Sequence, residues 1–145
     1  MRIAVAADER AGVAEVLVDE LRRRGHEPIA HGALADSERD DWAWASETAA
    51  RDVAEGRAEQ AVVCCWTGTG ASIAANKVAG VRAALCGDAA TADGARRWND
   101  ANVLALSLRT TSAVTALIRS GLSRSVAAPS GPSVDSMMNV GMHRS

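Results

Sequence analysis

The segment Cys65-Trp66-Thr67-Gly68-Thr69-Gly70-Ala71-Ser72 holds the densest run of groups able to bind a ligand or react with one. Gly68 and Gly70 let a backbone approach a ligand closely. Thr67, Thr69 and Ser72 add hydroxyl donors, and the run leads into a helical pattern whose first amides favour an anion or a developing oxyanion. Cys65 sits where a predicted strand meets this loop. The same helix terminus favours its thiolate form, which can act as nucleophile or as proton-abstracting base. The other fate of a cysteine, a buried and inert thiol, fits Cys64 and Cys86 better. The loop is not a Walker motif, because no Lys-Ser/Thr pair follows the glycines in register. Nor is it a dinucleotide fingerprint, which needs G-x-G-x-x-G after the first strand.

Asp8 is the second candidate. It follows the apolar run Arg2–Ala7 directly, either as a helix N-cap or turn residue, or as a carboxylate facing a ligand. In a parallel sheet ligands bind beyond the carboxyl ends of the strands, which gathers Asp8, Cys65–Gly70, Gly87–Asp88 and the loop after Leu106. Asp41 stands at a loop-to-helix entrance, where N-capping is the expected role.

The elements that must position these groups alternate regularly. Strands are predicted at Arg2–Ala7, Pro28–His31, Ala61–Cys65, Val81–Cys86 and Asn102–Leu106. Helices are predicted at Val13–Arg24, Trp42–Glu55, Ser72–Val78, Ala89–Trp98 and Thr111–Leu122. This order implies an α/β fold: a three-layer α/β/α sandwich around a five-stranded parallel sheet with right-handed crossovers. Residues 1–122 read as the domain. Residues 123–145, rich in Ser, Pro and Ala, read as a C-terminal arm or tail, with a short helix over Ser133–Met142 able to dock on a partner subunit.

Composition narrows the function classes. The chain has 145 residues, 48% of them hydrophobic and 23% charged, with a formal charge of -2, as expected of one soluble domain. No basic block points to nucleic acid, and no apolar run approaches the roughly 18 residues of a membrane span. The three cysteines and the lack of a signal peptide argue against a disulfide framework and for the cytoplasm. Cys64 and Cys65 are adjacent, so on a strand they face opposite sides. His26, His31 and His143 show no metal-ligand spacing. There is no Phe or Tyr, yet there are four Trp, at 42, 44, 66 and 98.

The stretches SIAANKVAGVRAALC (Ser72–Cys86) and WNDANVLAL (Trp98–Leu106) strongly resemble the ribose-5-phosphate isomerase type B / galactose-6-phosphate isomerase family. Its members carry C-G-T-G-x-G-x-S-I-A-A-N-K, then G-I-R-A-A-L, then H-N-D-A-N-V-L. The resemblance runs from Arg2 to about Leu122 and is densest from Cys65 to Arg109. It implies a Rossmann-like fold, a homodimer or dimer of dimers with active sites between subunits, and cofactor-free aldose–ketose isomerisation of a sugar or sugar phosphate through a cis-enediolate. By resemblance Cys65 is the base that moves the proton. Thr67 and the amides of Gly68, Thr69 and Gly70 stabilise the enediolate oxygen, and Asp8 lies near the sugar hydroxyls. Asn99 binds sugar from the neighbouring subunit, and Arg109 contacts the phosphate.

The departures cluster. The family's D-H-[AG]-G reads Asp8-Glu9-Arg10-Ala11-Gly12, so the phosphate-side His is replaced by Glu9, with Arg10 as a substitute donor. The His before Asn-Asp, the family's ring opener, is Trp98, whose indole can only donate. The Gly after the catalytic Cys is Trp66, the His before Asp88 is Gly87, and the C-terminal G-G-R-H-x-x-R segment is absent as such. The expectation is therefore a specialised isomerase that spares proton transfer but not ring opening. A four-carbon aldose or ketose phosphate, which cannot close the usual ring through its phosphorylated oxygen, would suit it, with Trp66 and Trp98 walling the pocket. The alternatives are a non-catalytic or partner-dependent sugar-phosphate-binding subunit and an epimerase using the same enediolate.

Overall fold

The computed structural model describes residues 1–112 and 121–122. Among these residues five strands, β1 (Arg2–Ala7), β2 (Glu27–Gly32), β3 (Gln60–Cys65), β4 (Ala83–Leu85) and β5 (Val103–Ser107), alternate with four helices, α1 (Val13–Arg23), α2 (Trp42–Ala54), α3 (Thr69–Asn76) and α4 (Ala89–Asn99). All strand pairs are parallel, in the order β2-β1-β3-β5-β4. The predicted helix at Thr111–Leu122 falls largely on residues outside the described ones, as does the whole 123–145 arm.

Strand alternation sorts the core into two layers. Ile3, Val5, Ala7, Val62, Cys64, Leu104 and Leu106 meet Val13, Leu17 and Leu21 of α1 and Ala92 of α4. Ala4, Ala6, Ala61, Val63, Cys65, Val103 and Ala105 face Ala45, Ala49 and Ala50 of α2 and Ala71 and Ala75 of α3. The second layer is nearly all alanine and valine, so α2 and α3 sit close to the sheet and to each other. The two adjacent cysteines thus face opposite layers, as the period of two requires.

Three boundaries move for identifiable reasons. Helix α3 starts at Thr69 and not at Ser72, because Gly68 takes a left-handed conformation (φ 77°) as its N-cap. Its carbonyl then accepts the Ser72 N–H at 3.0 Å. At the sheet edge β4 keeps only three residues. Before it, the Val81 N–H closes a turn onto Val78 and the Arg82 N–H goes to the Asn102 side chain at 2.8 Å. Strand β5 runs one residue further than expected, to Ser107. Asp41 caps α2 by accepting the Trp44 N–H at 2.9 Å, the role expected of it and worth about 1 kcal/mol.

A buried polar network braces the β2 edge. His31 Nε2 lies 2.6 Å from Asp52 Oδ2, and His31 Nδ1 lies 3.2 Å from Glu38 Oε2. Arg57 Nε donates to Asp52 Oδ1 at 2.7 Å and pairs with Glu55 as well.

Candidate active site

From β1 the chain first steps outward to β2 and then crosses to β3 on the other side of β1. The crevice beyond the carboxyl ends of β1 and β3 is therefore a topological switch point, where open α/β sheets bind ligands. Asp8 leaves β1 there and Cys65 ends β3 there. Ala7 and Cys64 are register partners, so Asp8 and Cys65 stand at one level on neighbouring strands.

Cys65 is buried, on the face covered by α2 and α3. Its Sγ accepts the Ala71 N–H, in the first turn of α3, at 3.4 Å. The helix start thus points an amide at the sulfur. Burial, with the charges of Cys65 and Asp8, pushes Cys64 far above the usual thiol range, and burial with Asp88 pushes Cys86 up to about 11.

The loop after Cys65 is held from both sides. Thr67 Oγ1 accepts the Thr69 N–H at 3.4 Å, and the Trp66 indole projects outward, 55% exposed. Gly68 cannot be replaced cheaply: a Cβ there would lie 2.6 Å from Leu85 Cδ1 and 2.9 Å from the Leu106 carbonyl carbon, at a φ that favours glycine. At Gly70 a Cβ would lie 2.9 Å from the ring of Trp42, which packs against the first turn of α3. Trp42 opens the predicted helix Trp42–Glu55, and nothing local in the sequence reveals this contact.

Asp8 Oδ1 is buried and has no hydrogen-bond partner. Burial, then the charges of Glu9 and Asp40, holds its carboxyl above the usual range. It caps no helix: α1 is capped by Gly12, where a Cβ would lie 2.9 Å from the Leu108 carbonyl oxygen. Glu9 is exposed beside it. Arg10, expected as a substitute phosphate donor, is engaged elsewhere: Nε donates to the Ala33 carbonyl at 2.7 Å and Nη2 to that of Leu34 at 3.2 Å. It braces the loop after β2. Arg109 is exposed just past β5, its backbone N–H bonded to the Trp66 carbonyl at 3.0 Å. Ser107, which the sequence did not single out, is the register partner of Cys65 and donates its hydroxyl to the same carbonyl at 2.9 Å.

Trp98 and Asn99 are not with these groups. They end α4, which runs back from the carboxyl end of β4 to the amino end of β5. There the Asn102 carbonyl accepts from Ala61, four residues of strand (about 13 Å) below Cys65. Trp98 lies over Gly94 of its own helix and is 82% exposed. Asp8, Cys65, Thr67, Gly68, Thr69, Gly70, Ser72 and Arg109 therefore gather at one end of the sheet, while Trp98 and Asn99 lie at the other. Asp88, at the first end, caps α4 by accepting the Thr91 N–H at 2.8 Å. Among the described residues no helix is long and apolar enough to cross a membrane.

Comparison with known proteins gives a consistent picture. The family model described as Ribose/Galactose Isomerase matches residues 3–119. Ribose-5-phosphate isomerase B of Escherichia coli is 42% identical over 93 residues, covering 64% of this chain and 62% of that protein. The match thus spans less than two thirds of that relative. A D-erythrulose-4-phosphate isomerase of Pectobacterium atrosepticum is 33% identical over 110 residues, covering 75% of this chain and 72% of its own. The solved structure of Clostridium thermocellum ribose-5-phosphate isomerase B superposes with a TM-score of 0.81 at 31% identity, over 97% of this chain and 95% of that one.

Proposed function

Since the chain belongs to the ribose/galactose isomerase family, we propose that it is an aldose–ketose isomerase acting on a small sugar phosphate, with Cys65 as the proton-transferring base. The observation that carries this reading is the Cys65 sulfur facing the first turn of α3 at the switch point, level with Asp8. The thiolate takes the proton from the carbon next to the carbonyl. Negative charge then develops on the carbonyl oxygen, and a cis-enediolate forms. Thr67 and the amides of Gly68, Thr69 and Gly70, with Ser72 behind them, lie at the helix start where such charge is favoured. The proton of the adjacent hydroxyl passes to the former carbonyl oxygen, the protonated thiol returns its proton to the former carbonyl carbon, and the carbonyl has moved by one position. No cofactor enters these steps.

Asp8 Oδ1, buried and unpaired, is a ready acceptor for a sugar hydroxyl. Arg109 anchors the phosphate from the β5 side. Glu9 and Asp40 make the β1 side unfavourable for an anion, which orients the substrate with its phosphate toward Arg109.

Asn99 and Trp98 complete a site only when a second copy brings its α4 end to this one, so the working form is a homodimer or dimer of dimers. The exposure of Trp98 supports this. Trp98 cannot shuttle a ring-opening proton. A four-carbon substrate, which stays open, needs none, and the similarity to an isomerase named for D-erythrulose 4-phosphate supports that class. Unbridged cysteines fit a cytoplasmic protein.

The test is solvent deuterium incorporation next to the carbonyl, across four- to six-carbon sugars with and without phosphate. Exchange with a four-carbon phosphate that vanishes in Cys65→Ala is expected. Turnover of ribose 5-phosphate at an ordinary rate, about 10 s⁻¹ or more, would overturn the substrate class. Exchange that appears only when a second family chain is added would make this a partner-dependent subunit.

A further inference from the structure

Ser107 is buried at the end of β5, opposite Cys65 in the ladder. Its hydroxyl donates to the Trp66 carbonyl at 2.9 Å and accepts the Thr110 N–H at 3.2 Å. Among the described residues it is the side chain whose bonds join the loop after Cys65 to the turn that carries Arg109. The surrounding backbone continues the ladder: Leu108 N–H donates to the Cys65 carbonyl at 2.9 Å, and Arg109 N–H to the Trp66 carbonyl at 3.0 Å. The Thr111 N–H closes the turn onto the Ser107 carbonyl at 3.1 Å.

The Trp66 carbonyl already has a donor in the Arg109 N–H, so the hydroxyl is not required to satisfy a buried acceptor. What it adds is a second constraint on the carbonyl's direction, and the link from that carbonyl to Thr110. The geometry points to Ser107 as a positioning residue for the isomerisation: its hydroxyl fastens the Arg109 turn to the Cys65–Gly70 loop, so that the anion-anchoring and proton-transferring ends of the site are set as one unit. This rests on the function proposed above. It assigns Ser107 no contact with substrate. Its effect is to hold Thr67 and the amides of residues 68–70 at a fixed distance from Arg109, and misplacement by even an ångström can cost about a hundredfold in rate.

The experiment combines kinetics with amide hydrogen exchange on Ser107→Ala, Ser107→Thr, Arg109→Ala and the Ser107→Ala/Arg109→Ala double variant. Ser107→Ala should lower kcat and raise KM together, each by about 3- to 10-fold, and Ser107→Thr should restore most of both. The double variant should fall short of the product of the single losses by about threefold or more, because Arg109 is already misplaced once the hydroxyl is gone. Amides at 67–70 and at 109–111 should exchange faster together in Ser107→Ala. The inference is overturned if the single effects multiply, or if only the Thr110 amide exchanges faster. If the unaltered chain turns over no sugar phosphate, the proposed function falls, and the exchange pattern alone still decides whether one hydroxyl joins the two loops.

Discussion

Asp8 and Cys65 leave neighbouring parallel strands at the same level, one residue past the Ala7–Cys64 pair, where the strand order reverses. Their backbones are therefore about one strand spacing, ~4.8 Å, apart. In the proposed function an acid and a thiol so placed face a single small ligand. The arrangement costs stability, because the Asp8 carboxyl has an oxygen out of water with no partner.

Asp8→Asn should therefore separate stability from activity. Burial and the charges of Glu9 and Asp40 raise the folded-state pKa of Asp8 above its unfolded value of 3.8. Its ionisation thus opposes folding, a penalty absent below the unfolded pKa and fully present above the folded one. The amide carries no such charge. Its Tm should exceed that of the parent at pH 7 by a few degrees, about 1–4 °C, with the difference closing as pH falls below 3.8. The same variant should lose about tenfold or more in kcat/KM, since an amide is a weaker acceptor than a carboxylate. Thermal melts against pH, beside steady-state kinetics, check both signs.

The three thiols should differ in reactivity. All three are buried, Cys65 the least and at the mouth of the crevice, and the thiols of Cys64 and Cys86 are held protonated well above neutral pH. Iodoacetamide at pH 8 should label Cys65 first, in step with loss of activity, and reach the other two only on unfolding. Peptide mass mapping at intervals would reveal the order. Labelling of Cys86 ahead of Cys65 would contradict the assignment.

The Trp42 ring occupies the space above Gly70. Gly70→Ala places a Cβ about 2.9 Å from that ring, and overpacking of this kind costs about 1–3 kcal/mol. Trp42→Leu in the same chain should recover part of the loss by vacating the space. Denaturant melts of the two single variants and the pair would measure it, and strict additivity would mean that the contact is not the cause.

The His31–Asp52–Arg57 network should act on stability alone. His31→Leu leaves Asp52 with Arg57 only, and a loss of about 2–4 kcal/mol is expected. kcat of the folded protein at low temperature should stay within about twofold, since these groups bond one another and Glu38 on the β2 side of the sheet. A kcat loss matching that of Asp8→Asn would place the network in the site.

The sequence by itself determined the α/β class, the five strands, the opposite facing of Cys64 and Cys65 and the Cys65–Ser72 loop. Period-two apolar runs, glycine positions and helix caps are local signals, carried by residues a few positions apart. The Asp41 cap was legible for the same reason. Tertiary structure alone decided the strand order β2-β1-β3-β5-β4, and with it that Asp8 and Cys65 are neighbours while Trp98 and Asn99 lie at the far end. It also decided that Arg10 binds the carbonyls of Ala33 and Leu34, that Trp42 covers Gly70, and that Ser107 joins two loops 41 residues apart. Each of these depends on which strands lie side by side, and no residue's own type or spacing encodes that. Pairing is chosen by the whole core, when the leucine-rich face and the alanine-rich face must each find a helix layer of the right thickness.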